Sequence, residues 1–307
     1  MNQIRIVFMG TSDFAVPSLQ ILLEAGYSVA SVVTVPDKPQ GRGCLTSPSP
    51  IKLFTQAKSI PVLQPTNLQD PDFLATLERY DADLYVVVAF RMLPAVVWKK
   101  PRLGTINLHA SLLPQYGGAA PIHWAIMQGE AKTGLTTFYI DAALDTGNIL
   151  LQVEEPIYTV DTVGTLHTRL KHKGAKLLLQ SVNAIADGTA VAMPQPAQAD
   201  DVLYHKAPKI YKKDCEINWC RPTDEVYNFI RGLSPHPGAY TTLQEKQVKI
   251  LTTYPLTLGG MVPGALYSDG KSYLHIGTKD GVLAIEELQP AGRKVMDIRS
   301  FLQGYKV

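Results

Sequence analysis

The segment Thr105-Ile106-Asn107-Leu108-His109-Ala110-Ser111-Leu112-Leu113-Pro114 carries polar side chains at the point where an apolar run gives way to a turn. Side chains two positions apart on an extended chain share a face, so Asn107 and His109 are expected to project together. Thirty-six positions after His109 comes Leu144-Asp145-Thr146-Gly147, a carboxylate in a glycine-containing loop that follows another apolar stretch, Thr136 to Ile140. An amide, an imidazole and a carboxylate, with no serine or cysteine in a nucleophile motif, suit a direct transfer without a covalent enzyme intermediate. The amide can donate to an oxygen that becomes negative, while the imidazole and the carboxylate hold or move a proton. Taken singly, each has a plainer explanation: a hydrogen-bonded histidine at a strand end, a turn asparagine, an aspartate before Thr-Gly. Together, at these spacings, they favour chemistry.

Other chemistries lack their signatures. The first turn, Gly10-Thr11-Ser12-Asp13-Phe14-Ala15, has one glycine where a dinucleotide fingerprint needs three. There is no phosphate-binding P-loop, no G-x-S-x-G elbow and no His/Cys cluster at metal-ligand spacing, so no metal is expected. Three cysteines, Cys44, Cys215 and Cys220, are too few for a disulfide framework and are expected as reduced thiols.

The elements that must position these residues begin with Ile4 to Met9, a β-branched apolar run. Gly10 turns it into a helical pattern from Phe14 to Ala25, closed by Gly26, and Val29 to Val35 reads as a second buried strand. This βαβ unit implies a doubly wound parallel sheet of the α/β class. Further strands are expected at Leu84 to Phe90 and Thr105 to His109, with helices at about Asn67 to Tyr80, at Pro94 to Trp98 and, longest, at Val163 to Asp187. Ligands of such sheets bind at the carboxyl ends of the strands, where the Asn/His segment sits. Pro36 to Pro50 has no periodicity and reads as an unusually long loop, a common place for function.

The 307 residues, 46% hydrophobic and 18% charged, suffice for two domains. We expect residues 1–188 as the catalytic domain, 189–204 as an extended linker around Met193-Pro194-Gln195-Pro196, and 205–307 as a small β-barrel. Its strands are expected at Ile217 to Trp219, Gln247 to Thr252, Gly264 to Tyr267, Tyr273 to Ile276 and Gly281 to Glu286. Residues 205–307 carry 14 Lys/Arg against 10 Asp/Glu while 1–204 carry 15 against 17, so the basic part could meet a polyanion. The longest apolar run, Leu84 to Phe90, is far short of a membrane span, and the stretch up to Asp13 lacks a signal-peptide pattern. A cytoplasmic, membrane-free monomer is expected.

With these residues in view, the chain resembles the formyltransferases that use 10-formyltetrahydrofolate, in the branch whose acceptor is initiator methionyl-tRNA. The resemblance runs through Phe8 to Phe14, Pro39-Gln40-Gly41-Arg42-Gly43, Asn107 to Pro114, Gly118-Ala119-Ala120-Pro121-Ile122 and Leu144 to Gly147. Past the linker it continues through Ile217-Asn218-Trp219 and Leu288 to Lys294. It implies a Rossmann-like domain followed by an OB-like β-barrel that binds tRNA, and a formyl transfer to the methionyl α-amine, for translation initiation, by direct attack through a tetrahedral intermediate.

By the same resemblance Asn107, His109 and Asp145 are the catalytic trio. The folate co-substrate would be bound by Ser111, Leu112, Leu113 and Pro114, by Phe90, Arg91, Met92 and Leu93, and by Asp141 and Leu144 of the 141–144 stretch. The family commonly has an arginine where this chain has Gly117. In the long loop, Lys38 and Arg42 flank glycines that let backbone approach a nucleic acid, so both are assigned to tRNA. Glycinamide ribonucleotide transformylases share the trio but lack the region after 205. Sugar-nucleotide formyltransferases have a C-terminal extension and are the competing reading. A nucleic-acid-binding protein without activity is a third, disfavoured by the presence of all three polar residues.

Overall fold

The computed structural model describes residues 4–40, 45–196, 204–259 and 261–305. In chain order its elements are β1 (Arg5–Gly10), α1 (Val16–Glu24), β2 (Ser28–Val33), β3 (Lys38–Gln40), β4 (Leu45–Ser47), α2 (Pro50–Gln56), β5 (Val62–Leu63), α3 (Pro71–Arg79), β6 (Leu84–Val88), α4 (Ala95–Trp98), β7 (Thr105–His109), β8 (Gly117–Gly118) and α5 (Pro121–Met127). Then follow β9 (Lys132–Tyr139), β10 (Ile149–Pro156), α6 (Val163–Ala186), β11 (Lys206–Ala207), α7 (Thr223–Leu233), β12 (Ala239–Leu243), β13 (Lys246–Leu256), β14 (Leu266–Ser268), β15 (Leu274–Gly277), β16 (Val282–Pro290), β17 (Met296–Asp297) and α8 (Ile298–Gly304). They form two compact units: Met1–Gly117 with Gly134–Glu155 and Thr168–His205, and Gly118–Thr133 with Pro156–His167 and Lys206–Val307.

The first unit is built on a seven-stranded sheet in the order β10-β9-β7-β6-β1-β2-β5. The strands from β5 to β7 run parallel, whereas β9 runs antiparallel to β7, pairing Asn107 with Phe138 and His109 with Thr136. The Rossmann-like reading holds, with this antiparallel edge added. All five residues of β6 are buried, as expected for a strand covered on both faces. On one face Val7, Met9, Tyr85 and Val87 pack with Phe73 and Leu77 of α3 and with Leu93 and Val97. Helix α3 starts where Asp70 Oδ1 accepts from the Asp72 and Phe73 amides, with Pro71 at its first position, so the helix expected from Asn67 begins four residues later.

On the other face α6 crosses β7 and β9. A Cβ on Gly174 would come within 2.9 Å of Leu108 Cδ2 and 3.2 Å of Leu135 Cδ2, and Thr137 and Ser181 hydroxyls are 2.6 Å apart. Leu108 therefore faces α6, and strand alternation turns Asn107 and His109 to the opposite side. Glu155 of β10 fastens α6 by accepting from Arg169 Nε at 2.9 Å and Lys173 Nζ at 2.7 Å. Burial pushes the Glu155 carboxyl up, but these two cations outweigh it and hold the group below its usual range.

The long segment 36–50 is not wholly irregular: β3 and β4 pair antiparallel, Lys38 opposite Ser47. Lys38 opens β3, while Arg42, Gly41, Gly43 and Cys44 lie outside the described residues, as do 197–203 of the linker. Asp37 ties the segment down, with Lys52 Nζ at 2.6 Å and Gln64 Nε2 at 2.8 Å.

The second unit contains an antiparallel sheet, β12-β13-β16-β15-β14, with β17 on β16, curled into a half-barrel that agrees with the OB-like expectation. No strand forms at Ile217 to Trp219, in contrast to the sequence reading. Glu216 makes an isolated bridge to Tyr240, and the Ile217 amide donates to the Tyr240 carbonyl at 2.9 Å. Helix α7 has no counterpart in the sequence reading. It buries Val226, Ile230 and Leu233 in the core of the sheet and meets α5 at Gly232, where a Cβ would lie 2.6 Å from Met127 Cγ.

Candidate active site

His109 closes β7 nearly buried, at 6% exposure, and half-buried Asn107 shares its face. The His109 Nε2 nitrogen lies 3.0 Å from the Tyr116 carbonyl oxygen. A carbonyl only accepts, so Nε2 carries a proton and Nδ1 is the nitrogen left to gain or lose one. Nδ1 faces Asp145 Oδ2 at 3.9 Å, too long for a hydrogen bond but within electrostatic reach, and both side chains are largely shielded from water.

Asp145 reaches this position by a route that a purely parallel sheet does not offer. Because β9 is antiparallel, its last residue, Tyr139, lies opposite Ile106, three residues before His109. The 141–148 loop therefore doubles back over the Asn107 and His109 side of the sheet. Gly147 makes this possible: a Cβ there would stand 1.7 Å from the Tyr139 carbonyl oxygen and 3.4 Å from Phe138 Cδ2. Asp141 shapes the start of the loop, its Oδ1 accepting from the Ala143 amide at 3.1 Å and from Thr146 Oγ1 at 2.8 Å. Leu144 is 62% exposed.

The turn after β7 is held from within. Ser111 Oγ donates to the Gln115 carbonyl at 2.6 Å, Thr136 Oγ1 donates to the Ser111 carbonyl at 2.7 Å, and the Leu113 amide donates back to Thr136 Oγ1 at 3.1 Å. Gln152 Nε2 donates to the Leu113 carbonyl and to Thr136 Oγ1, both at 2.9 Å. The Leu113–Pro114 peptide is cis. Leu112 packs over Gly134, where a Cβ would come within 2.5 Å of Leu112 Cδ2. Tyr116 takes a positive φ of 57° and stacks on His205 at 5.6 Å between ring centroids.

Beyond β6, Ala89 has φ 49° and leads into Phe90 to Leu93 beside the end of β7. These four part company. Leu93 is a core residue, Met92 is 78% exposed and Phe90 is half-buried. Arg91 donates to the Thr66 carbonyl at 2.8 Å and to the Pro65 carbonyl, with its guanidinium 5.6 Å from the Phe90 ring centre; burial lowers its pKa. Its Nε is buried and has no hydrogen-bond partner. Gly117, where the family commonly has arginine, has room: its nearest would-be neighbours, Asp145 Cβ and Leu113 Cδ2, are 3.7 Å away.

The structure thus brings Asn107, His109, Asp145 and the Ser111 to Pro114 turn to one side of the sheet. Sequence reasoning missed Tyr116, Thr136, Gln152 and Gln195, which hold these groups through hydrogen bonds from distant positions. Nothing in the sequence flags them; in the structure, Ala89, Tyr116 and Asp145 are three of the seven non-glycine residues with positive φ among the described residues. Among the described residues no group of His, Cys, Asp and Glu could hold a metal ion, and no helix is long and apolar enough to cross a membrane.

Comparison with known proteins identifies the family. The formyl transferase model matches residues 4–182, and the formyl transferase C-terminal domain model matches 209–306. The methionyl-tRNA formyltransferase of Bacteroides fragilis is 45% identical over 310 residues, covering 99% of this chain and 96% of its own length. That of Parabacteroides distasonis is 47% identical over 313 residues, covering 99% and 97%. Among solved structures, HypX from Aquifex aeolicus in complex with tetrahydrofolic acid matches with a TM-score of 0.67 at 21% identity, over 99% of this chain and 48% of that one. An N-formyltransferase from Helicobacter canadensis in complex with folinic acid and dTDP-3-aminofucose matches with a TM-score of 0.67 at 21% identity, over 94% and 99%. With a shared fold, both family models and this level of identity along almost its whole length, the chain belongs to the methionyl-tRNA formyltransferase family.

Proposed function

We propose that this protein transfers the formyl group of 10-formyltetrahydrofolate to the α-amino group of initiator methionyl-tRNA. The observation that carries the reading is the identity of 45–47% to methionyl-tRNA formyltransferases through both units, against 21% to the sugar-type enzyme, whose likeness is one of fold.

The residues around the trio fit the folate. Met92 and Leu144 expose large apolar side chains and Phe90 is half-buried, and apolar side chains of this kind are what a flat heteroaromatic ring would cover. The backbone of 90–93, and those peptide groups of 111–114 not engaged in holding the turn, would face its polar edge. Bound there, the folate supplies an electrophilic formyl carbon.

Asn107 donates its amide hydrogens toward the formyl oxygen as that oxygen gains negative charge, an interaction that strengthens in the transition state. His109, with Nε2–H committed to the Tyr116 carbonyl, works through Nδ1. Asp145 stands 3.9 Å from Nδ1, so the pair can draw a proton from the attacking amine, directly or through one water, and the same proton can pass to folate N10 as the C–N10 bond breaks and the tetrahedral intermediate collapses to the formamide and tetrahydrofolate. Lys38 and Arg42 in the 36–50 segment would meet the phosphates of the acceptor end, and residues 205–307 would carry further tRNA contacts. One chain supplies every group in this scheme, so a monomer suffices, and its acceptor is used in the cytoplasm. Incubating the purified protein with 10-formyltetrahydrofolate and either charged initiator tRNA or a UDP-amino sugar tests the reading: the tRNA should be formylated, and formylation of the sugar alone would replace it with the competing one.

A further inference from the structure

We propose that Gln195 is a positioning residue for Asp145, a role that rests on the assignment of Asp145 and His109 above. The side-chain amide of Gln195 donates to two carbonyls of the returning loop, Asp145 O at 2.8 Å and Gly147 O at 3.0 Å. The 145–146 and 147–148 peptide planes are thereby pinned to one nitrogen, which fixes the course of the backbone just after Asp145 and with it the direction in which the Asp145 side chain leaves the chain. The loop needs such a tie because Asp145 itself adopts a left-handed φ of 56°.

The segment that delivers Gln195 is itself held. Met193 and Ile149 exchange both backbone hydrogen bonds, at 2.7 and 2.9 Å, at the foot of β10. Pro194 and Pro196 flank Gln195, restricting the backbone on both sides to extended geometry, so little freedom remains to be lost when the amide docks. Gln195 is half-buried, consistent with a side chain turned toward the loop. The chemistry is specific to a primary amide: one nitrogen with two hydrogens serves two acceptors, whereas a carboxylate would present lone pairs to both carbonyls.

At 3.9 Å no hydrogen bond draws His109 Nδ1 and Asp145 Oδ2 together, so their separation depends on where the loop backbone carries Asp145. Displacement of the loop by about an ångström is enough to cost on the order of 10²-fold in rate. Gln195 would then affect turnover without touching substrate.

The test uses full-length protein with Gln195→Met, which keeps size and removes the donors, and Gln195→Glu, which keeps shape and reverses the polarity. Gln195→Met should lower kcat by about 10- to 100-fold while KM for 10-formyltetrahydrofolate and the melting temperature stay near those of the parent. Gln195→Glu should be impaired at pH 8 and recover part of the parent kcat as the pH is lowered and its carboxyl becomes a donor. Combined with Asp145→Asn, Gln195→Met should add nothing further. A Gln195→Met enzyme with the parent kcat, or losses that multiply in the double variant, would overturn the positioning role. If Gln195→Met does not fold, the pH response of Gln195→Glu decides alone, and a flat ratio to the parent overturns the proposal. Full activity in Asp145→Asn would bring down the catalytic reading itself, and the positioning role with it; an impaired Asp145→Asn beside an unimpaired Gln195→Met removes only the latter.

Discussion

The Tyr116 carbonyl takes the Nε2 proton of His109 at 3.0 Å, and that one contact decides which ring nitrogen is free. With Nε2 occupied, the neutral imidazole turns a lone pair toward Asp145 rather than a donor. The pair is therefore set to receive a proton between them, and the 3.9 Å gap leaves room for its arrival to tighten the contact.

The oxyanion role of Asn107 makes a sharp expectation. Asn107→Ala should reduce kcat by about 10²–10³ and leave the dissociation constant of the folate almost unchanged, because the amide acts on charge that exists only in the transition state. Steady-state kinetics beside a folate titration checks it; a near-normal kcat would remove Asn107 from the chemistry.

Asp145→Asn should preserve the fold and lower kcat by about 10²-fold or more. Adding His109→Ala should then cost little, since a proton-handling pair fails as a unit. The measurement is a double-mutant cycle on kcat, and fully multiplicative losses would show that the two act separately.

How much of this was legible in the sequence depends on how local the signal is. The shared face of Asn107 and His109 follows from strand alternation and needed no structure. The path of Asp145 did not, because nothing within 136–148 announces that β9 runs against β7 or that the loop must return across the sheet. Helix α7, by contrast, is legible: Val226, Phe229, Ile230 and Leu233 recur at i, i+3, i+4 and i+7 behind Asp224 and Glu225, and an all-β reading of residues 205–307 overlooks that stripe. Gln152 and Gln195 are solitary glutamines whose partners lie 39 and 50 residues away, and no periodicity records such bonds. The 36–50 segment misled in a smaller way, its prolines and glycines masking the β3–β4 pairing.

The glycines of the site divide into two kinds. Gly147→Ala should cripple turnover by about 10²-fold, since its Cβ would collide with the Tyr139 carbonyl and push the Asp145 loop away. Gly117→Ala meets nothing closer than 3.7 Å and should change stability by no more than about 0.5 kcal/mol. Activity and melting curves of the two variants side by side test the contrast.

Acid should weaken the first unit through Glu155. Its folded pKa is depressed, so its stabilisation is complete above the unfolded carboxyl value of about 4.3 and is lost as the pH falls through the folded value. Glu155→Gln should therefore cost about 1–2 kcal/mol at pH 7, and the gap to the parent should close as the pH drops below about 4. Denaturant melts from pH 7 to 3 measure it, and a gap independent of pH would refute the assignment.

For the 36–50 segment, Arg42→Ala should raise KM for charged tRNA and leave folate binding alone. The slope of log affinity against log salt should flatten by roughly 0.7 if one phosphate contact is lost. Unchanged tRNA kinetics with an unchanged slope would take Arg42 out of the tRNA contact.

The alternation along β7 has a practical corollary. Leu108 packs against α6 while its two neighbours face the loop, so the long helix forms the back wall of the sheet and stands a full layer of side chains away from the reacting groups. Lys176, exposed on the outer surface of that wall, is accordingly a point of attachment: a dye or a solid support coupled there should leave turnover intact and make formyl transfer observable on an immobilised enzyme.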